Sequence, residues 1–475
     1  MTAVTSPGVG QSAASGLVLA LHPRARVERV GVSALHLRVD GVVVPLDAGS
    51  SAAATALVEL GNRAASDAEL LSGLPRHEWS TVLLRIRELD ALGALCYSVR
   101  SGGRDVATAE AFGPGLPLSP ERGTLPERVR LSRFAIASAG RDAAAIGSAV
   151  ARARLRIHDP ALLGVLLSMA APRPGAEVAG LLPLPEGETL ARLLLASGVL
   201  VACDEHGVAV EDGAPLGDWN LHDALFHART RWGLRAAPES VMSPAVATMP
   251  SLVKPPMSDQ VIVLPTSATA PAVSLGEVLR TRRSNLRSGD SVMTLGQLGD
   301  LLDAAARIQR VRPPVPPHQP YEAGHRPYPS GGACHPLETY VAVARCDGLS
   351  QGLYHYDPLH HRLEVLAGRE PHAARLVAHY PDLDAAAGPR QVVLVITARF
   401  ARISRKYDEI AYALLLKEAG AYLQTLYLVA TALGLAPCAL GGGDASLIAH
   451  AIGCSVWEES SVAEFSVGAV TRSGA

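Results

Sequence analysis

The sequence predicts an α+β protein with two diverged copies of one strand–helix–strand unit over residues 1–115 and 116–212. A connecting segment follows over 213–273, then a larger domain over 274–475. Three observations predict this. Residues 17–47 alternate apolar and polar side chains around an Asp40-Gly41 turn, as strands do. A Leu-rich helix, a glycine stop and an apolar strand occur twice, as RIRELDALGALCYSV and as ETLARLLLASGVLVACDEHG. From Ser274 onward, helical and strand patterns alternate with an antiparallel hairpin among them, which requires one sheet covered by helices.

Composition narrows the function classes. Of 475 residues, 48% are hydrophobic and 19% charged, which excludes a disordered chain and gives ample length for several cores. Lys and Arg total 43 against 45 Asp and Glu, a net charge of −2. No basic excess points to nucleic acid or an anionic membrane as partner. The six cysteines (Cys96, Cys203, Cys334, Cys346, Cys438, Cys454) form no CxxC pair, so neither a zinc site nor a disulfide scaffold is expected. The first twenty residues lack the basic and apolar regions of a signal peptide, so a cytoplasmic protein with reduced thiols is expected. The apolar stretch Ala419–Ala436 approaches the roughly 18 residues of a membrane span. Lys417 and Glu418 adjoin it, and Gln424, Thr425 and Thr431 lie inside it, which reads as a helix buried in protein.

Taken in order, AATALVELGN carries apolar residues at helical spacing, Ser66 caps DAELLSGL, and a third helix stops at Gly93 before a strand. Phe134–Ala139 and Ala153–Ile157 read as strands, and Asp159 caps PALLGVLLSMA. Strands, three helices and a closing strand are the order of a winged helix, so each copy is winged-helix-like. Neither copy has a Lys/Arg-dense face with base-reading side chains, which argues against DNA. His222 and His227, with Trp219 and Trp232, sit on a helix or loop that reads as packing, because no Cys or paired carboxylate completes a metal set. Residues 236–273 turn Pro-, Ser- and Ala-rich and read as an ordered linker or wrapping arm. Ser274 and Thr294 cap the next two helices, Asp357-Pro358 turns a hairpin, QVVLVITARFARI contains a fully apolar strand, and a long buried helix precedes the last strand.

Three segments suit an anionic, flat ligand. Arg282, Arg283 and Ser284 end a helix with two guanidiniums and a hydroxyl. Ser330, Gly331 and Gly332 permit close backbone approach. Gly441, Gly442 and Gly443 offer bare backbone N–H groups. The chain has no GxGxxG and no GxxxxGK[ST]. The histidines His325, His335, His355, His360 and His361 read as hairpin surface or loop packing, and Cys334 as packing beside the glycine pair.

In order, RRS, RPYPSGGACHPLETYVAV, GLYHYDPLHHRLEVL, the stretch from SRKYDEIAYALLLKEAG to ALGGG, and VGAVTR resemble the SagB-type azoline dehydrogenases. These are the FMN-dependent branch of the nitroreductase superfamily that matures ribosomal peptides. The segment LHDALFHARTRWG resembles the stretch preceding the flavin domain there. The resemblance implies a nitroreductase-like FMN domain behind two leader-recognition-like units, a homodimer with the flavin site across its interface, an azoline-containing precursor peptide as substrate, and a cyclodehydratase complex as partner. It implies that Arg282, Arg283 and Ser284 hold the FMN phosphate and ribityl chain, that Ser330, Gly331 and Gly332 lie on the isoalloxazine, and that Gly441 and Gly442 face N5. Arg472 matches a basic residue near the phosphate, and Lys406 and Tyr407 match the Lys-Tyr pair associated with azoline oxidation. Two positions depart from the pattern: Leu286 stands where a basic residue is usual, with Arg287 one place later, and Ala421 where a histidine is common.

The implied reaction aromatises a thiazoline or oxazoline, the α-carbon hydrogen leaving as a proton and the β-carbon hydrogen as hydride to the flavin. Lys406 could act as base if burial lowers its pKa, and Tyr407 could donate or relay a proton. Which of the two is the base stays open. Two rivals stay open as well: an NAD(P)H-dependent nitroreductase-like flavoenzyme, and a leader-peptide docking scaffold without catalysis.

Overall fold

Helices begin where a short polar side chain takes up backbone N–H groups that the first turn leaves unpaired. Ser66 and Thr294 form reciprocal capping boxes with Glu69 and Gln297, and Asp159, Ser274 and Asp444 accept from Ala161, Glu277 and Leu447. The computed structural model describes residues 16–39, 42–111, 118, 120, 124–139, 143–151, 153–181, 186–231, 244–267, 272–285, 291–379 and 390–470. They fall into two units, Met1–Glu239 and Ser240–Ala475.

The first unit contains two runs of elements in similar order, the second with a short strand between its first two helices and one closing strand where the first has two. One comprises β1 (Gly16–Leu21), β2 (Ala25–Arg29), β3 (Ala34–Val39), β4 (Val42–Asp47), α1 (Ser51–Glu59), α2 (Asp67–Leu71), α3 (Trp79–Ala91), β5 (Leu95–Ser101) and β6 (Arg104–Ala111). The other comprises β7 (Arg128–Leu131), β8 (Ala135–Ala139), β9 (Ala144–Ser148), β10 (Ala153–Ile157), α4 (Pro160–Ser168), β11 (Arg173–Pro174), α5 (Gly175–Ala179), α6 (Glu186–Ala196) and β12 (Leu200–Cys203). Leu21 pairs with Leu95 in the first, and Leu131 with Leu200 in the second. The runs do not have separate cores. β6 pairs antiparallel with β10, setting Ala109 opposite Leu155, so that a six-stranded sheet β1-β5-β6-β10-β9-β8 crosses from one run to the other. One core holds Leu35, Leu57 and Leu89 together with Leu155, Leu166 and Leu190. The expected boundary at 115/116 lies outside the described residues, as does Trp232. α7 (Leu221–Thr230), capped by Asn220, follows.

The second unit is built on a seven-stranded antiparallel sheet covered by helices on both faces. Its strands are β13 (Val261–Val263), β16 (Leu337–Val343), β17 (Gly352–Asp357), β18 (Arg362–Val365), β19 (Val392–Arg399), β20 (Leu435–Leu440) and β21 (Glu459–Ala469), in the order β13-β18-β17-β16-β19-β21-β20. A small ribbon of β14 (Arg310–Arg312) and β15 (Ala323–His325) stands apart. The helices are α8 (Leu275–Thr281), α9 (Leu295–Ala306), α10 (Glu370–Ala378), α11 (Ala401–Ser404), α12 (Ala411–Ala432) and α13 (Ala445–Ile452). Strand β19 is apolar throughout because it is buried on both sides. Val392, Leu394 and Ile396 join the core with α9 and α12, while Val393 and Val395 join α10 and α13. The long apolar stretch is α12, whose Leu415, Tyr422 and Leu426 are in that core. No helix among the described residues is long and apolar enough to cross a membrane.

The described part of the 236–273 segment packs on this second unit. Lys254 is held by Glu459 at 2.6 Å and by Tyr340 at 2.7 Å, and β13 forms the sheet edge against β18.

Candidate functional site

Side chains converge at the N-terminal half of α12. After α11 the chain turns, and Lys406 and Tyr407 follow directly. The loop carrying Ser330, Gly331 and Gly332 lies against them. Gly332 has φ +61°, and a Cβ there would fall on the Lys406 ammonium and the Tyr407 hydroxyl. Two sequence-predicted groups, the glycine loop and the Lys-Tyr pair, therefore meet in one place.

A third residue joins them that the sequence did not reveal. The Tyr321 hydroxyl donates to the Gly332 carbonyl at 3.0 Å and accepts from Lys406 Nζ. Nζ also sits 4.6 Å from the Tyr321 ring centroid and 5.2 Å from that of Tyr407. Burial alone lowers the Lys406 pKa, but the Tyr321 hydrogen bond and the neighbouring Tyr407 and Cys334 outweigh it, and the net shift is upward. The condition on which Lys406 would act as base, a pKa lowered by burial, is opposed here by neighbours that favour the ammonium. Burial raises the Tyr407 phenol despite Lys406, so that group is neutral.

Behind the loop lies a buried polar cluster. Ser330 Oγ donates to Glu418 Oε2 at 2.5 Å and accepts the His335 N–H at 2.8 Å. Burial pushes the Glu418 carboxyl up to about 7, although Ser330, Arg326 and Arg402 pull the other way. Burial likewise pushes the His335 imidazole down to about 3. Arg402, fully buried, donates to the carbonyls of Cys334 (2.7 Å), Glu322 (2.9 Å) and Pro250, joining three segments around the site. Cys334 is packed, and burial pushes its thiol up to about 11.

The histidines divide between the two expected settings, packing and surface. His335, His355 and His361 are buried, because their strands and turns point them at polar partners inside. His355 lies between Glu364 (3.0 Å) and Glu338 (3.3 Å), and His361 meets the Tyr356 hydroxyl at 2.9 Å. His360 is exposed and pairs with Asp357. Among the described residues no group of three or more His, Cys, Asp or Glu side chains is arranged to hold a metal.

A second cluster forms at the C-terminal half of α12. Arg282 stacks over the Tyr427 ring at 5.1 Å, and Ser284 Oγ lies 2.8 Å from the Tyr427 hydroxyl. That hydroxyl accepts the Ala439 N–H at 2.7 Å, which ties the segment to β20 and so to Gly441. Arg283 donates to the Arg280 and Arg282 carbonyls. Neither arginine meets a carboxylate among the described residues. Beside Gly441 and Gly442 an added Cβ would meet nothing within 4 Å, whereas at Gly443 it would strike the Glu464 carboxylate. Guanidiniums without an acidic partner among the described residues, half-buried at Arg282 and exposed at Arg283, a hydroxyl and open glycine backbone fit a phosphate-bearing planar cofactor. Leu286, Arg287 and Arg472 lie outside the described residues.

The two clusters are separated along α12. From Glu418 to Tyr427 the helix advances nine residues, roughly 14 Å.

Comparison with known proteins gives five findings. Residues 279–469 match the model of the nitroreductase family. Residues 129–236 match the model of the cyanobactin oxidase ThcOx. A Methanocaldococcus jannaschii protein named "Putative nitroreductase" is 31% identical over 169 residues, 36% of this chain and 79% of that protein. Among solved structures, a protein so named from Ralstonia eutropha JMP134 is 23% identical, covering 46% of this chain and 93% of that one, with a TM-score of 0.35. The E. coli microcin synthetase McbBCD complex with truncated pro-MccB17 bound is 21% identical, covering 52% and 91%, with a TM-score of 0.33.

Proposed function

The chain belongs to the nitroreductase family, and from that premise we propose that it is an FMN-dependent azoline dehydrogenase that oxidises peptide thiazolines or oxazolines to azoles. The observation that carries this reading is the meeting of Lys406 and Tyr407 with the Gly332 loop. The match of residues 129–236 to an oxidase of cyanobactins supports a peptide substrate.

Bound at this site, FMN supplies a two-electron acceptor for the hydride. The protein's part is electrostatic. As the hydride leaves, the α-proton would pass to a water at the site, and the negative charge that its departure builds on the ring would be stabilised by a desolvated ammonium beside it. Lys406 fills this role, and Tyr407, neutral and half-buried, presents a hydrogen-bond donor to a ring heteroatom. Arg282, Arg283 and Ser284 hold the phosphate end, and Gly441 and Gly442 leave room for the flavin edge.

The separation of the two clusters on one chain supports a homodimer in which each flavin draws on both subunits. Tyr412 and Leu416 of α12 and Leu275 and Leu279 of α8 are exposed apolar side chains that a second copy would cover. The two runs of the first unit serve as leader-recognition-like elements that hold the precursor peptide or dock a cyclodehydratase.

Purified protein is expected to show a flavin spectrum with close to one FMN per chain, and to remove two hydrogens per ring from an azoline peptide in the presence of oxygen. Lys406→Ala should retain the flavin and lose azole formation. A colourless protein that takes up no FMN would support a scaffold instead, and rapid reduction by NAD(P)H without azoline oxidation would support a general nitroreductase.

A further inference from the structure

Arginine is the default cation of this chain: of 43 Lys and Arg residues, three are lysine, namely Lys254, Lys406 and Lys417. Lys254 is the half-buried partner of the buried Glu459, and Lys417 is exposed on α12. Lys406 has no carboxylate partner among the described residues. Its Nζ is enclosed by Tyr321, Tyr407 and the backbone of Gly332. A compact ammonium with three rotatable donors fits between two phenols where a planar guanidinium does not.

The hydrogen-bond directions at Tyr321 are fixed by its partners. A carbonyl can only accept, so the Tyr321 O–H points at Gly332 O, 3.0 Å away. The phenol oxygen is then left as an acceptor, and Lys406 donates to it. Tyr321 thus links the cation to the backbone of the very loop whose glycine leaves space for it. We propose that Tyr321 is a positioning residue of the oxidation site, fixing the Lys406 ammonium against the Gly332 carbonyl so that its charge is held at the cofactor loop. This rests on the azoline dehydrogenase reading for its catalytic consequence, but not for its geometry.

The titratable groups facing Lys406 are Tyr321, Tyr407 and the Cys334 thiol, and Arg402 is bound to the Cys334 carbonyl. Of these, Tyr321 supplies the hydrogen bond that favours the charged lysine. Tyr321→Phe keeps the ring and removes both bonds.

With three lysines in the chain, protein labelled with 13C at the lysine ε-carbon gives three side-chain signals, assigned with Lys406→Arg and Lys417→Arg. In the wild type the Lys406 signal should titrate above the ordinary lysine value of 10.5. In Tyr321→Phe it should move to lower pH, with FMN content unchanged. Turnover of an azoline peptide should fall about tenfold in kcat, with KM within about twofold and the alkaline limb of the pH profile shifted down. A wild-type Lys406 that titrates at or below 10.5 overturns the proposal without any variant having to fold. So does a Tyr321→Phe protein whose Lys406 titration and kcat match the wild type. If the wild type leaves azolines untouched while the NMR shifts appear, the oxidation reading fails and the hold of Tyr321 on Lys406 stands.

Discussion

Gly332 meets two requirements at once: a left-handed backbone, φ +61°, and no atom where a Cβ would overlap the Lys406 ammonium. Gly332→Ala is therefore expected to cost about 1–3 kcal/mol of stability and to displace Lys406. Thermal melting and azole formation measured together check this, and a variant with wild-type turnover would show that the loop does not confine the lysine. Glu418 carries a different burden. Its folded-state pKa of about 7 exceeds its ordinary 4.5, so the native state holds a proton that the unfolded chain gives up in that window. The contribution is fully present below pH 4.5 and is lost as pH rises through 7. Glu418→Gln should match the wild type in denaturant at acid pH and exceed it by about 3 kcal/mol at pH 8. Equal pH dependence in the two proteins would remove Glu418 as the cause.

Thr294 and its partner Gln297 start α9, whose Leu298, Leu301 and Leu302 are buried against the sheet. Thr294→Ala should lose about 1 kcal/mol, read from the denaturation midpoint. Lys254 fastens the segment leading to β13 across the sheet through Glu459 and Tyr340. Lys254→Ala leaves Glu459 buried without its cation and should cost about 3–5 kcal/mol. Adding Glu459→Gln should recover much of the loss, and a double variant no better than the single one would place the cost elsewhere. Such elements show what local sequence discloses. Ser66, Asp159, Ser274 and Thr294 act within three residues of themselves, and all four cap helices as their chemistry dictates. Strand β13 carried no such signal, since three residues in a Pro-rich stretch become a strand only through β18, about a hundred positions away.

Across the whole chain, distance in sequence decided what could be read. Lys406 and Tyr407 are adjacent and visible as a pair, whereas Tyr321 reaches them across 85 positions from a Pro-rich loop, and nothing local marks it. The partners of His355 are hidden for the same reason: it reads as a hairpin residue until β16 and β18 bring Glu338 and Glu364 to either side of it. The pairing of β6 with β10 is also non-local, with Ala107 opposite Ile157 and the buried Glu110 bound to Arg154 at 3.0 Å and to Arg156. That junction is also a constraint on dissection. A fragment ending near residue 115 would keep every element of the first run yet present β6 as a bare edge. Its Ala107, Ala109 and Ala111 would be stripped of their cover, and Glu110 of both its cations. Open hydrogen-bonding edges with small apolar side chains recruit other copies, so such a fragment should precipitate or form fibrils where the intact pair stays dispersed.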